Sequence, residues 1–170
     1  MNWESVIGQY IDHLTYVERK AKLTQQSYLN DLKQFQRYFE EKGVAFEDVD
    51  TNTLNGMIVA MSGEKSNASI LRMISSIKGL YRFITRIDET HSDPTVNMVS
   101  VKKRSRIPKI ISTTEINDLL TTDEGSHLGL DLVLIDLLYS CGLRVTELVS
   151  LKLNQIFLDD GYLRVLGKGN

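Results

Sequence analysis

Residues 141–153, CGLRVTELVSLKL, set one arginine among leucines. Leu137, Leu138, Leu148, Leu151 and Leu153 carry the apolar pattern of a core, and Arg144 interrupts it three residues before Glu147. A guanidinium stays charged throughout the physiological range, and its planar fork of donors matches two oxygens of a carboxylate or a phosphate. By spacing alone Arg144 is an arginine at a helix start, snorkelling to solvent or paired with Glu147. Downstream, Lys168 stands between Gly167 and Gly169, which taken alone is an ordinary turn lysine. Cys141 is the single cysteine, so no internal disulfide forms. With no histidine patterned near it, Cys141 reads as a small packed residue, not a nucleophile. His13, His91 and His127 are scattered and offer no metal-ligand spacing.

These residues need elements to position them. The chain has 170 residues, 42% hydrophobic and 25% charged, the balance of a globular protein of one ordinary domain or two small ones. No apolar run reaches the ~18 residues of a membrane helix, and the N-terminus lacks the order of a signal peptide. A cytoplasmic setting fits these features. The net charge of −2 conceals an asymmetry: residues 1–110 carry a net +3 and residues 111–170 a net −5. Phosphates respond to charge within about a Debye length, so the local excess matters more than the total.

The first ninety residues read as helices. NWESVIGQYIDHLTYVE places Val6, Ile7, Tyr10, Ile11, Leu14 and Val17 at three-to-four spacing, one buried face of one helix. SYLNDLKQFQRYFEEKG repeats the pattern with Tyr28, Leu32, Phe35 and Phe39, and Gly43 is a plausible stop. A shorter third helix is capped near Asp50 or Thr51, and a fourth, capped at Ser66 or Asn67, turns Ile70, Ile74, Ile77, Tyr81 and Ile84 inward. The aromatics Tyr10, Tyr28, Phe35, Phe39, Tyr81 and Phe83 belong to the core of this bundle. Residues 91–111 then carry both prolines, Pro94 and Pro108, with Lys102, Lys103, Arg104, Arg106 and Lys109, and read as a basic linker.

Beyond the linker, Ser112 and Glu115 form a capping-box pattern, LGLDLVLIDLLYSCG is a buried helix ending at Gly142, and VTELVSLKL is a short helix. GYLRVLGKG alternates as a strand after the turn Asp159-Asp160-Gly161. That strand lacks an evident partner, so the second unit reads as incomplete. The apolar residues around Leu132, Leu134, Leu163 and Val165 are then short of cover, which predicts pairing with a second copy or weaker protection than in the bundle. The fold class expected is mainly α: a four-helix bundle over 1–90, the linker over 91–111, and part of a mixed α/β domain over 112–170.

LLYSCGLRVTELVSLKLNQIFLDDGYLRVLGKGN closely resembles the first catalytic region of tyrosine recombinases of the Xer and phage-integrase group. DPTVNMVSVKKRSRIPKIISTTEINDLL is similar to the same group's linker and the start of its catalytic domain. SNASILRMISSIKGLYRFI and NDLKQFQRYFEEKG resemble helices of its core-binding domain. The resemblance implies a SAM-like helical clamp and a mixed catalytic domain that close around double-stranded DNA, with other recombinase protomers joining a synaptic tetramer. It implies cutting and rejoining of DNA through a phosphotyrosine. Because that bond conserves the energy of the phosphodiester, no metal or nucleotide cofactor is implied.

The resemblance assigns Arg144 as the first catalytic arginine and Lys168 as the hairpin lysine; Glu147, one helical turn from Arg144, is placed by its spacing to orient the guanidinium. A pentacoordinate phosphorus gathers charge on its non-bridging oxygens, and fixed donors there are usually the largest catalytic contribution. A lysine among cations can protonate the departing 5′-oxygen. The DNA contacts expected are Thr24, Gln25 and Ser27 at the start of the second helix, and Ser66, Asn67, Arg72, Ser76 and Lys78 on the fourth. Lys102, Lys103, Arg104 and Arg106 are expected to follow the phosphate backbone. No His-x-x-Arg occurs in these 170 residues, and no tyrosine stands in the family's nucleophile setting, so this chain is expected to bind DNA without cleaving it. The alternative is a truncated, non-catalytic regulator that binds DNA or occludes a recombinase.

Overall fold

A computed structural model describes residues 2–99, 101, 110–121, 128–165 and 167. The chain divides into two compact units, Met1–Arg106 and Ile107–Asn170. Among the described residues the fold is mainly α, with one two-stranded sheet.

Unit 1 is built on α1 (Trp3–Asp12), α2 (Lys22–Glu40), α3 (Thr51–Met61) and α4 (Asn67–Ile87). Local chemistry sets where each starts. Asn2 accepts the Glu4 amide at 3.1 Å to cap α1. Asp50 and Thr53 form a reciprocal capping box on α3, with the Thr53 amide 2.7 Å from the Asp50 carboxylate. Ser66 accepts the Ser69 amide at 3.2 Å to cap α4. Each such cap satisfies an amide that the helix itself leaves without a partner.

The expected inward stripes are buried: Val6, Ile7 and Tyr10 on α1, Leu32, Phe35 and Phe39 on α2, and Ile70, Ile74, Ile77, Tyr81 and Ile84 on α4. An aromatic cluster lies at their centre. Trp3 meets Phe35 edge-on at 5.1 Å and Phe46 edge-on at 5.0 Å, while Phe46 stacks on Tyr81 at 5.3 Å. Such pairs add to plain area burial through their quadrupoles. Gly79 is required where α1 crosses α4: a Cβ there collides with the Tyr10 hydroxyl.

Two features depart from the sequence reading of unit 1. The first helix does not continue in α form to Val17, because residues His13–Val17 are π-helical. The wider i→i+5 turn, marked by the Glu18 amide on the His13 carbonyl at 3.0 Å, shifts the helical phase. Leu14 stays buried, but Val17 is turned to solvent. The segment then ends at Arg19, a non-glycine residue at φ 49°.

The chain also stays on the bundle after α4. Thr51 donates to the Pro94 carbonyl at 2.8 Å, and the Val99 amide donates to Asn55 at 2.9 Å. Thr95 and Met98 are buried, and Val101 packs on the core. The first half of the segment read as linker is therefore strapped to α3.

Unit 2 contains α5 (Thr113–Thr121), α6 (Leu128–Cys141), α7 (Val145–Val149) and a hairpin of β1 (Ile156–Phe157) and β2 (Tyr162–Leu163). The Ser112–Glu115 box forms as its spacing predicts, with the Ser112 amide 2.8 Å from the carboxylate and the Glu115 amide 3.2 Å from the hydroxyl. The strand expected over GYLRVLGKG is two residues long, and it has a partner inside the chain: Ile156 opposes Leu163 and Phe157 opposes Tyr162.

The core expected around α6 is not closed. Leu148 is buried, Leu137, Leu138 and Leu151 are half-buried, and Leu153 is 88% exposed. α6 carries apolar residues on all sides, whereas within unit 2 its helical neighbours α5 and α7 flank only part of it.

Candidate nucleic-acid interface

Arg144 forms the N-terminal boundary of α7. Gly142 at φ 64° ends α6 in the left-handed conformation that glycine takes without strain, and Arg144 follows in extended backbone. Glu147 then holds Arg144 twice. Its Oε2 accepts the Arg144 backbone amide at 2.8 Å, and its Oε1 accepts Nη1 of the guanidinium at 2.7 Å. The amide, and then the guanidinium, lower the Glu147 pKa below the ordinary carboxylate value.

The Glu147 side chain is 15% exposed and that of Arg144 is 68% exposed. One nitrogen of the guanidinium, Nη1, is thus tethered to the carboxylate, and most of the guanidinium surface is exposed. Arg144 lies at the surface of the leucine-rich segment, outside its core.

A hollow of ≈ 430 Å³ adjoins this pair, lined by Glu147, Ser150, Lys152, Asn154, Gln155 and Val165. Gln155 ties its walls together: it accepts the Lys152 amide at 2.9 Å and donates to the Arg164 carbonyl at 2.9 Å. On the hairpin, the Arg164 guanidinium lies 5.3 Å from the centre of the Phe157 ring, which stacks on Tyr162 at 4.5 Å. Sequence reasoning did not single out Lys152 or Arg164. That reading placed Lys152 in a short helix and Arg164 in a strand, where neither carried a signal of its own. Lys168 lies outside the described residues.

In unit 1, the nominated residues of α2 are engaged locally. Gln25 donates to the Lys20 carbonyl at 2.7 Å, Ser27 donates to the Leu23 carbonyl at 2.7 Å, and Thr24 is half-buried. On α4, Ser66 is the cap, Asn67 the first helical residue, and Lys78 half-buried.

Ser76 requires a correction. It is fully buried, and its hydroxyl donates to the Met73 carbonyl at 2.8 Å, so it presents nothing to DNA. A serine is small enough to occupy a helix contact once its hydroxyl is satisfied by a backbone oxygen of the preceding turn.

Arg72 is placed differently from a solvated cation. Its Nε and Nη2 donate to the two carboxylate oxygens of Asp31 at 2.9 and 3.0 Å, joining α4 to α2. Asp31 had no place among the candidates, although an acid between Tyr28 and Leu32 on an inward stripe was the available signal. Lys102, Lys103, Arg104 and Arg106 lie outside the described residues. No described helix is long and apolar enough to cross a membrane.

The family model for the phage integrase N-terminal SAM-like domain matches residues 7–87, and that for the phage integrase family matches residues 109–170. The tyrosine recombinase XerD of Lacticaseibacillus casei is 34% identical over 167 residues, covering 97% of this chain and 57% of that protein. The tyrosine recombinase XerC of Pseudomonas fluorescens is 32% identical over 168 residues, covering 96% of this chain and 56% of that protein. A crystal structure of XerA recombinase is similar at TM-score 0.46 and 20% identity, over 99% of this chain and 57% of that one. The chain thus spans somewhat more than half the length of these relatives. Its two successive family matches, together with Xer relatives aligned along nearly its whole length, show that it belongs to the phage integrase family of tyrosine recombinases.

Proposed function

We propose that this chain is the DNA-gripping portion of a Xer-like site-specific tyrosine recombinase, supplying the helical clamp and the first two cationic groups of the phosphoryl-transfer site. The observation that carries the reading is the Arg144–Glu147 pair: a guanidinium tethered through Nη1, with most of its surface exposed. A tethered guanidinium has less orientational freedom to lose when two phosphate oxygens arrive, and its remaining donors can meet the charge that grows on them in the transition state. In the same reading Lys168 protonates the departing 5′-oxygen, and Lys102, Lys103, Arg104 and Arg106 follow the phosphate backbone. The substrate is a duplex recombination site, and the partners are further recombinase protomers. The 170 residues by themselves bind without cutting, because the nucleophilic tyrosine and the His-x-x-Arg pair of the family reaction are not among them.

A duplex library nicked so that cleavage becomes irreversible tests this. The expected result is a shifted complex that dissociates fully in denaturant. A covalent protein–DNA adduct contradicts the non-cleaving reading, and no shift at any protein concentration contradicts DNA binding.

A further inference from the structure

Arg72 combines two properties that an arginine serving only to hold phosphate does not need. Its side-chain edge, Nε with Nη2, is committed to both oxygens of Asp31, a carboxylate only 2% exposed. The guanidinium nevertheless remains 48% exposed. The pairing consumes the side-on fork and leaves the end-on fork, Nη1 with the second hydrogen of Nη2. Nη1 makes no hydrogen bond among the described residues.

Two parallel N–H groups in that arrangement match two acceptors side by side, either N7 and O6 of guanine or two oxygens of a phosphate. Charge decides between them. The buried carboxylate offsets the guanidinium, so the pair is nearly neutral and gains little from long-range attraction to phosphate. Its directed hydrogen bonds keep their full value against a base edge, where geometry and not charge does the selecting.

The surroundings permit close approach. On α4 the positions three and four residues away include Ala68, Ser69 and Ser75, and on α2 Ser27 stands one turn before Asp31. All are small side chains beside one long one.

We propose that Arg72 reads a guanine in the major groove, and that Asp31 is the positioning residue that holds its guanidinium end-on. This rests on the reading of the chain as a duplex-DNA binder and adds to it a base, a donor pair and a buttress.

Selection of bound duplexes from a randomised library, using the whole 170-residue chain, gives the test. The chain itself is expected to enrich guanine at one position of the site. Arg72→Lys keeps a cation beside Asp31 but loses the planar fork, and it should reduce that preference roughly tenfold or more. Asp31→Asn should reduce the same preference while strengthening binding to unrelated duplexes and steepening its salt dependence by roughly one phosphate contact, because the guanidinium charge is no longer offset. A role confined to joining α2 to α4 moves neither discrimination nor salt slope in that opposed way. Helix content by circular dichroism shows that each variant is folded, and should Asp31→Asn unfold, Arg72→Lys decides alone.

Loss of affinity for all sequences equally in Arg72→Lys means a phosphate contact and overturns the proposal. Enrichment with no guanine sensitive to residue 72 overturns it while leaving DNA binding intact. Failure of the unaltered chain to retain any duplex removes both.

Discussion

The two units solve the problem of burial unequally. In unit 1 four helices, an aromatic cluster and the strap over residues 94–99 close one continuous core. In unit 2 Ile116 and Leu148 are the buried apolar side chains among the described residues, and Leu130, Val133, Val145, Val149 and Leu158 stand in solvent. The apolar content of α6 matches that of a core helix, so composition does not separate the units; the supply of neighbours does. Burial is a property of what packs against a helix, and unit 2 has apolar faces with little against them.

The largest effect that could break this contrast is a cavity. Phe35→Ala should cost about 3–5 kcal/mol in unit 1, because the ring is enclosed by Trp3, Phe39 and Tyr81. Denaturant unfolding followed by tryptophan fluorescence measures it through Trp3. Leu148→Ala should cost less, as read by hydrogen exchange of unit 2 amides, since a thinly packed site collapses more easily around a lost side chain. Equal losses would mean that unit 2 is as well closed as unit 1.

Next, Gly79→Ala forces Tyr10 away from α4 and should cost about 1–3 kcal/mol by the same measurement. Asp50→Ala removes the α3 cap and should lower the unfolding midpoint by less than Gly79→Ala does. It also loosens the strap, because Thr51 and Asn55 both lie on α3. Hydrogen exchange sharpens the comparison without mutation: amides of α2 and α4 should be the slowest, and those of α6 and the hairpin should open at lower free energy. Uniform protection in a proven monomer would count against it.

The smallest effect is a titration. Glu147 is held below the ordinary glutamate pKa, first by the Arg144 amide and then by its guanidinium. A depressed folded-state pKa contributes stability that is present above the unfolded value and lost as pH falls through the folded one. The Arg144–Glu147 pair should therefore persist as acid is added through the usual glutamate range and dissolve only below it, as read by side-chain NMR of Glu147 and Arg144. Titration of Glu147 at the ordinary value would show that the pair is not formed.

What could be read from the sequence follows the range of the forces involved. The caps read at Asp50 or Thr51, at Ser66 or Asn67 and at Ser112 depend on neighbours three residues away, and the inward stripes of unit 1 on a fixed helical period, so both were visible to within a residue. Arg144 and Glu147 were visible as a pair for the same reason. The π-helical turn was not, because its cause is a change of period inside a sequence that satisfies the α spacing. The partner of β2 was missed because Ile156–Phe157 is two residues long, too short for alternation to show. The Asp31–Arg72 fork joins residues 41 apart in sequence, beyond any local pattern. Ser76 was misassigned because polarity was taken for exposure, and its hydroxyl is satisfied by the backbone of its own helix.

The most direct test of the central claim, that this chain grips duplex DNA through its cations, is the affinity for a duplex measured across a series of salt concentrations. The account predicts a straight, steep fall of log affinity with log salt, and a slope shallower by about three and a half units once Lys102, Lys103, Arg104 and Arg106 are all replaced by alanine. An affinity indifferent to salt would contradict the account, and a slope unchanged by the fourfold replacement would contradict its assignment of those residues.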